Sequence, residues 1–150
     1  MRRSLVVLLL AGLALAPAAV AKGPHAVLSP GTKPIEPGRA WVATVTFVEF
    51  GPGPARSARP TVVARNRGGD RLSAPLSRSS AGEFGQEYRL RLVFPRAGRW
   101  TISVIVGTRA DRRFVYPALR VGGPDARPTS DFVAFPKGSR AERMGGGGAY

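Results

Sequence analysis

Apolar and polar positions alternate with a period of two in several short runs, most clearly in Tyr88 to Phe94, "YRLRLVF". Tyr88, Leu90, Leu92 and Phe94 share one phase and Arg89 and Arg91 the other, which is the pattern of a half-buried strand with its arginines in solvent. The run stops at Pro95, which has no N–H to give to a ladder. It resumes in "WTISVIV", where Trp100, Ile102, Val104 and Val106 are in phase. Between them, Pro95 to Arg99 reads as a tight connection in which Gly98 supplies backbone freedom. The two runs therefore predict a strand-turn-strand corner, with Trp100 buried near Tyr88 and Trp41 between two sheets.

Other segments repeat the theme. In "AWVATVTFVEF", Ala40 to Phe50, Trp41, Val45 and Phe47 alternate with Thr44 and Thr46, and the β-branched and aromatic content supports a strand. "PTVVARN", Pro60 to Asn66, reads as a strand that ends in the turn Gly68-Gly69-Asp70. "HAVLS", His25 to Ser29, and Leu72 to Leu76 add short strands. "RFVYPALRV", Arg113 to Val121, reads as the last strand, and Pro117 inside it demands an edge position or a bulge. No segment carries helical spacing over three turns. Six to seven short strands between Pro- and Gly-rich loops predict an all-β, antiparallel sandwich, preferred over a small barrel. Residues 122–150 lose the periodicity and gain Gly, Pro and charge, so most of them read as a mobile tail. Phe132, Val133 and Phe135 stand out there, either as a docked strand or as a hydrophobic contact for a partner.

The N-terminus reads as a secretion signal. Arg2 and Arg3 precede the apolar run Leu5 to Ala16, and Ala19-Val20-Ala21 supplies the small-x-small cleavage pattern. The run is shorter than the roughly 20 residues that span a bilayer. Residues 1–21 are thus expected to be removed between Ala21 and Lys22, leaving residues 22–121 as one domain of a bacterial protein, secreted or periplasmic in the cell envelope. No later run is long enough to span. The chain has no cysteine, which removes disulfides and lipidation and leaves stability to a hydrophobic core.

At "EYRLRLVFPRAGRW" the chain resembles the small exported bacterial domains called YtkA-like, with FixH proteins as relatives. Those domains carry a Tyr-rich strand, a Pro-x-x-Gly-x-Trp corner and then final strands. The upstream "PIEPGRAWVATVTF" and the "ARPTVVAR" strand follow in the same order. The resemblance covers roughly Pro34 to Val121. It implies an immunoglobulin-like β-sandwich in an extracytoplasmic setting, with metal handling and respiratory-complex maturation among the roles of some members. "HAVLSP" is similar to the start of mature copper-resistance proteins of the CopC type, which bind copper through an N-terminal His. Cleavage after Ala21 leaves His25 fourth, not first, and Pro24 blocks the amide ligation that a terminal copper motif uses.

Candidate chemistry is sparse. One His, no Cys and, beyond Met1, only Met144 fall short of the several N or S ligands of a copper or zinc site. His25 is the one available triad base and no G-x-S-x-G elbow accompanies it. Ser79, Ser80 and Ser130 read as turn residues, and the nearest carboxylate pair, Glu83 and Glu87, as solvated surface. No cofactor and no catalytic residue is assigned, and the chain is not read as an enzyme.

Charge changes the picture more. Basic residues number 23 against 9 acidic, a formal charge of +14, and 20 of the 23 are Arg. The skew toward Arg, Ala, Gly and Pro is what a GC-rich genome encodes, so composition and function compete as its cause. "ARNRGGDR" and "TRADRR" are basic but turn-like and lack the aromatics that stack bases, which argues against nucleic acid. The expected partner is an envelope protein or an anionic surface, and Arg89 and Arg91 are the candidate contacts. A binding or accessory domain of the envelope is the first reading. A metal-handling accessory and a structural module on anionic polymers or lipids are the alternatives.

Overall fold

The alternating runs become strands in the computed structural model, which describes residues 24–48, 59–82, 85–107, 112–128, 130–143 and 148–149. The expected leader, its cleavage positions Ala21 and Lys22, Glu83 and Phe50 lie outside the described residues. Two antiparallel sheets form. The first contains β1 (His25–Ser29), β2 (Ala40–Val48), β5 (Ser77–Gly82), β6 (Gly85–Val93), β10 (Phe132–Ala134) and β11 (Gly148–Ala149), in the order β11-β10-β1-β2-β6-β5. The second contains β3 (Thr61–Asn66), β4 (Arg71–Pro75), β7 (Gly98–Ile105), β8 (Arg113–Val115) and β9 (Leu119–Val121), in the order β4-β3-β7-β8, with β9 also on β7. A single helical turn, Arg140–Arg143, follows β10.

Each sheet turns its apolar phase inward. Trp41, Ala43, Val45 and Phe47 of β2 and Tyr88, Leu90 and Leu92 of β6 face Val62, Ala64, Trp100, Ile102, Val104 and Phe114 across one buried cluster. Each large apolar side chain removed from water in such a core contributes about 1.5–3 kcal/mol. Residues 94–97 carry the chain from the first sheet to the second. The connection expected over Pro95–Arg99 is shorter, because Gly98 and Arg99 already pair within β7, and it is a corner between layers and not a hairpin. Trp100 is fully buried as expected, but its neighbours differ from the expectation. Phe94 stands between the two indoles, with ring centroids 5.2 Å from Trp100 and 5.7 Å from Trp41. Tyr88 packs elsewhere, edge-on to Phe47, which also meets Phe114. The reason is register: Tyr88 lies opposite Val45 and next to Phe47, several residues along the sheet from the corner.

Pro117 acts as both an edge marker and a bulge. The stretch expected as one strand is two, β8 and β9, and both pair with β7 at the edge of the second sheet. Ser103 pairs with Val115 and Tyr116 donates its N–H to the Ile102 carbonyl, while Trp100 pairs with Leu119. Pro117 and Ala118 therefore oppose the single residue Thr101, the two-against-one count of a bulge.

Two other segments depart from expectation. Ser79 and Ser80, read as turn residues, belong to β5, which pairs with β6 through an irregular register near Arg78 and Ser80. The segment after Val121, read as mostly tail, is tied to the sandwich in part. Ala126 is buried and its carbonyl accepts from Ile35 N–H at 3.1 Å. Residues Phe132 to Ala134 pair with β1, covering an edge that would otherwise present open backbone groups. Phe132 and Val133 thus take the docked of their two expected roles. The strand number rises above the six to seven foreseen through β5, the division of one expected strand into β8 and β9, and the added β10 and β11.

Candidate functional site

The polar phase of the second sheet gathers the arginines. With Val62 and Ala64 inward, β3 turns Arg65 outward. With Trp100, Ile102 and Val104 inward, β7 turns Arg99, Thr101 and Ser103 outward. On the neighbouring edge Phe114 points in and Arg113 out. The register then sets Arg65 opposite both Thr101 on β7 and Arg71 on β4, and sets Arg99 opposite Arg120 on β9. Two like-charge pairs face each other directly across strands, an arrangement that disfavours the fold by up to about 1 kcal/mol each.

Of these residues Arg65, Arg99, Thr101, Ser103 and Arg113 border an open groove of about 410 Å³. Arg65, Arg67, Arg99 and Arg113 supply its charge; Thr101 and Ser103 supply hydroxyls, and no described acidic residue lines it. Arg113 donates from Nη2 to Ser103 Oγ at 3.2 Å. Ser103 is a buried polar side chain of this sheet, and its oxygen accepts from Arg113. Arg113 Nε has no hydrogen-bond partner among the described residues. None of the four groove arginines pairs with a carboxylate among the described residues. Asp70, three residues after Arg67, is committed elsewhere. Asp70 accepts from Asn66 Nδ2 at 2.7 Å and forms an ion pair with Arg96 at 2.8 Å. Arg120 differs from the groove arginines in having Asp125 at 3.6 Å.

Arg89 and Arg91, the expected contacts, are exposed on β6 at the outer face of the first sheet, on the opposite side of the sandwich. Arg89 lies opposite Thr44 and Ser77, and Arg91 opposite Val42, so neither faces a like charge. Arg89 borders a separate depression that also contains Asp131 and Ser130. Both arginines are where alternation put them, but they do not join the groove. The groove residues were missed because "ARNRGGDR" and "TRADRR" each read as an isolated turn. The first supplies Arg65 and Arg67 and the second Arg113, and only the pairing of β3 and β8 with β7 brings them to one face. The available signal was the alternation within "VARN" and "GRWTIS", which already assigns Arg65, Arg99 and Thr101 to the polar phase.

The other candidates remain apart. His25 is half-buried on β1 with its ring centroid 5.7 Å from that of Phe135. No group of three or more His, Cys, Asp or Glu side chains that could hold a metal ion occurs among the described residues. Glu87 sits half-buried in β6 opposite Thr46, and Ser130 in a loop. Tyr116, which carried no expectation, has a hydroxyl buried in the core without a hydrogen-bond partner among the described residues. Burial raises its pKa far above the usual tyrosine value, since the phenolate would be desolvated.

Comparison with protein-family models, curated proteins and solved structures returned no match. Among the described residues no helix is long and apolar enough to cross a membrane.

Proposed function

We propose that this chain is an exported, non-enzymatic binding module of the bacterial cell envelope, built on an immunoglobulin-like sandwich, that docks an anionic partner on the outer face of its second sheet. The carrying observation is the groove in which four arginines, with no acidic partner among the described residues, converge from β3, β7 and β8 and the loops beside them. Guanidinium groups present several N–H donors in a fixed fork suited to oxyanions, and they keep their charge at any physiological pH. The immunoglobulin-like reading is supported by strand order. The run β1-β2-β6-β5 against β3-β7-β8 follows the A-B-E-D and C-F-G order of such domains. Kinship with YtkA-like and FixH proteins rests on the "EYRLRLVFPRAGRW" corner, and export on the leader ending at Ala21.

Two double variants test the reading because they remove equal charge from opposite faces. Arg65→Gln with Arg99→Gln should abolish most binding to anionic polymer at low salt, whereas Arg89→Gln with Arg91→Gln should leave most of it. Equal losses would mean that bulk charge, not this face, does the binding. Secreted protein should begin at Lys22 by N-terminal sequencing, and a membrane-bound product retaining Met1 to Ala21 would refute export with cleavage. Metal analysis of the same preparation bears on the metal-handling alternative, which stoichiometric copper would revive.

A further inference from the structure

We infer that the ligand of the second-sheet groove is a linear polymer of phosphate groups, recognised through its phosphates and not through any attached base or lipid. This rests on the reading of that face as an anion-binding surface and narrows its chemistry.

Three observations carry it. The donors converge from several directions: Arg113 and Ser103 are linked at 3.2 Å, and Thr101 stands beside Ser103 on the same face of β7 with Arg65 opposite it. A carboxylate offers two coplanar oxygens that one guanidinium fork satisfies, whereas a tetrahedral phosphate presents oxygens to donors on different strands. The charge is also extended. Neighbouring strands lie about 4.8 Å apart and same-face residues about 6.5–7 Å apart along a strand. Arg65, Arg99 and Arg113 on three adjacent strands therefore spread over a length that one small ion does not cover and a chain of repeating anions does. Finally, the described residues of the face lack the anchors of the competing ligands. Its described outward residues on β3, β4, β7, β8 and β9 include no aromatic ring to stack a base. Of the exposed large apolar side chains among the described residues, Val42 and Val93 belong to the other sheet, leaving Val115 alone here to enter a bilayer.

The test titrates the mature protein with four probes: inorganic polyphosphate, polygalacturonate of matched charge, a single-stranded oligonucleotide, and phosphatidylglycerol vesicles. Polyphosphate should bind saturably and at least about tenfold tighter than polygalacturonate, and the oligonucleotide no tighter per phosphate than polyphosphate. Arg113→Gln and the Arg65→Gln, Arg99→Gln pair should each weaken polyphosphate about tenfold or more. The slope of log affinity against log salt should fall by roughly one for each groove arginine removed, as for phosphate contacts generally. Arg113→Lys, which keeps the charge but not the fork, should recover only part of the loss, and circular dichroism of each variant checks that the sandwich is intact. Equal affinity for polygalacturonate and polyphosphate overturns the choice of phosphate while leaving the anion-binding face standing. Binding to vesicles alone assigns the surface to headgroups and overturns the polymer. Saturable binding to no probe, or equal losses from groove variants and the Arg89→Gln, Arg91→Gln control, overturns the inference and the proposed function together.

Discussion

Replacing Trp100 with Ala removes the side chain on which the corner between the two sheets closes. Trp100 is completely buried, and its ring lies against Phe94, which in turn lies against Trp41. Emptying a buried aromatic site costs about 3–5 kcal/mol, from lost transfer free energy and from the cavity left behind. The upper half of that range applies here because the lining cannot easily fall inward. Phe94 is held from its other side by Trp41, and Trp41 is itself fixed by donating from Nε1 to the Pro30 carbonyl at 3.0 Å. Against a total stability of about 5–15 kcal/mol, such a loss leaves a marginal fold. Trp100→Phe refills most of the space but loses the Nε1 bond to the Arg96 carbonyl at 3.3 Å, so it should cost only about 1–2 kcal/mol. Urea melts followed by circular dichroism give both values, and Trp41 fluorescence supplies an independent probe of the same transition. A loss below about 1 kcal/mol for Trp100→Ala, the size of an ordinary substitution, would refute the packing of the corner on this ring.

Two further outcomes follow from the core and the corner. Tyr116→Phe removes a buried hydroxyl that has no partner among the described residues, so it should raise stability by about 1 kcal/mol near neutral pH. In the parent the folded pKa is raised, so Tyr116 ionises first in the unfolded state, and stability should fall above about pH 10 by up to about 1.4 kcal/mol per pH unit from this group; pH-dependent melts of the variant should be correspondingly flatter. Gly122→Ala places a side chain at φ +72° with its Cβ 2.8 Å from that of Ala97 in the corner, whereas Gly31→Ala at φ +78° meets nothing within 4 Å. Both should lose about 1 kcal/mol or more to the left-handed backbone, and Gly122→Ala should lose clearly more; equal melting temperatures would show that the corner does not rest on that glycine.

The strands were legible because period-two burial is a local property of the chain. Tyr88 to Phe94 and Trp100 to Val106 announce their inner faces residue by residue, and Pro117 announces an edge and a bulge through its missing N–H. What was not legible depends on contacts distant in sequence. Ser79 and Ser80 lie in polar sequence and become strand only because β6 offers them an edge. Phe132 to Ala134 form a strand because β1 has an open side. Trp100 meets Phe94, and not Tyr88, because the register between β2 and β6 carries Tyr88 away from the corner. The groove is the strongest case, since Arg65 and Arg113 share a face only through β7, whose own signal is its buried phase.

Whether the arginines are placed or merely abundant is a question that the like-charge pairs can decide. A genome that favours Arg codons supplies arginine to every exposed position alike, and on β6 the outcome is benign: Arg89 faces Thr44 and Ser77, and Arg91 faces Val42. On the second sheet Arg65 faces Arg71. Direct opposition of like charges destabilises, and threonine is a favoured strand residue. Arg65→Thr should therefore stabilise the free protein by about 0.2–1 kcal/mol while weakening its hold on polyphosphate. Arg89→Thr, which relieves no repulsion, should change stability by less than about 0.5 kcal/mol and leave binding nearly intact. Opposite signs at Arg65 in the melt and in the titration would identify a position where the fold gives up stability for a ligand. If Arg65→Thr instead destabilises the protein, the arginine is held there by the packing of its aliphatic stem, and the cost that binding was invoked to offset does not exist.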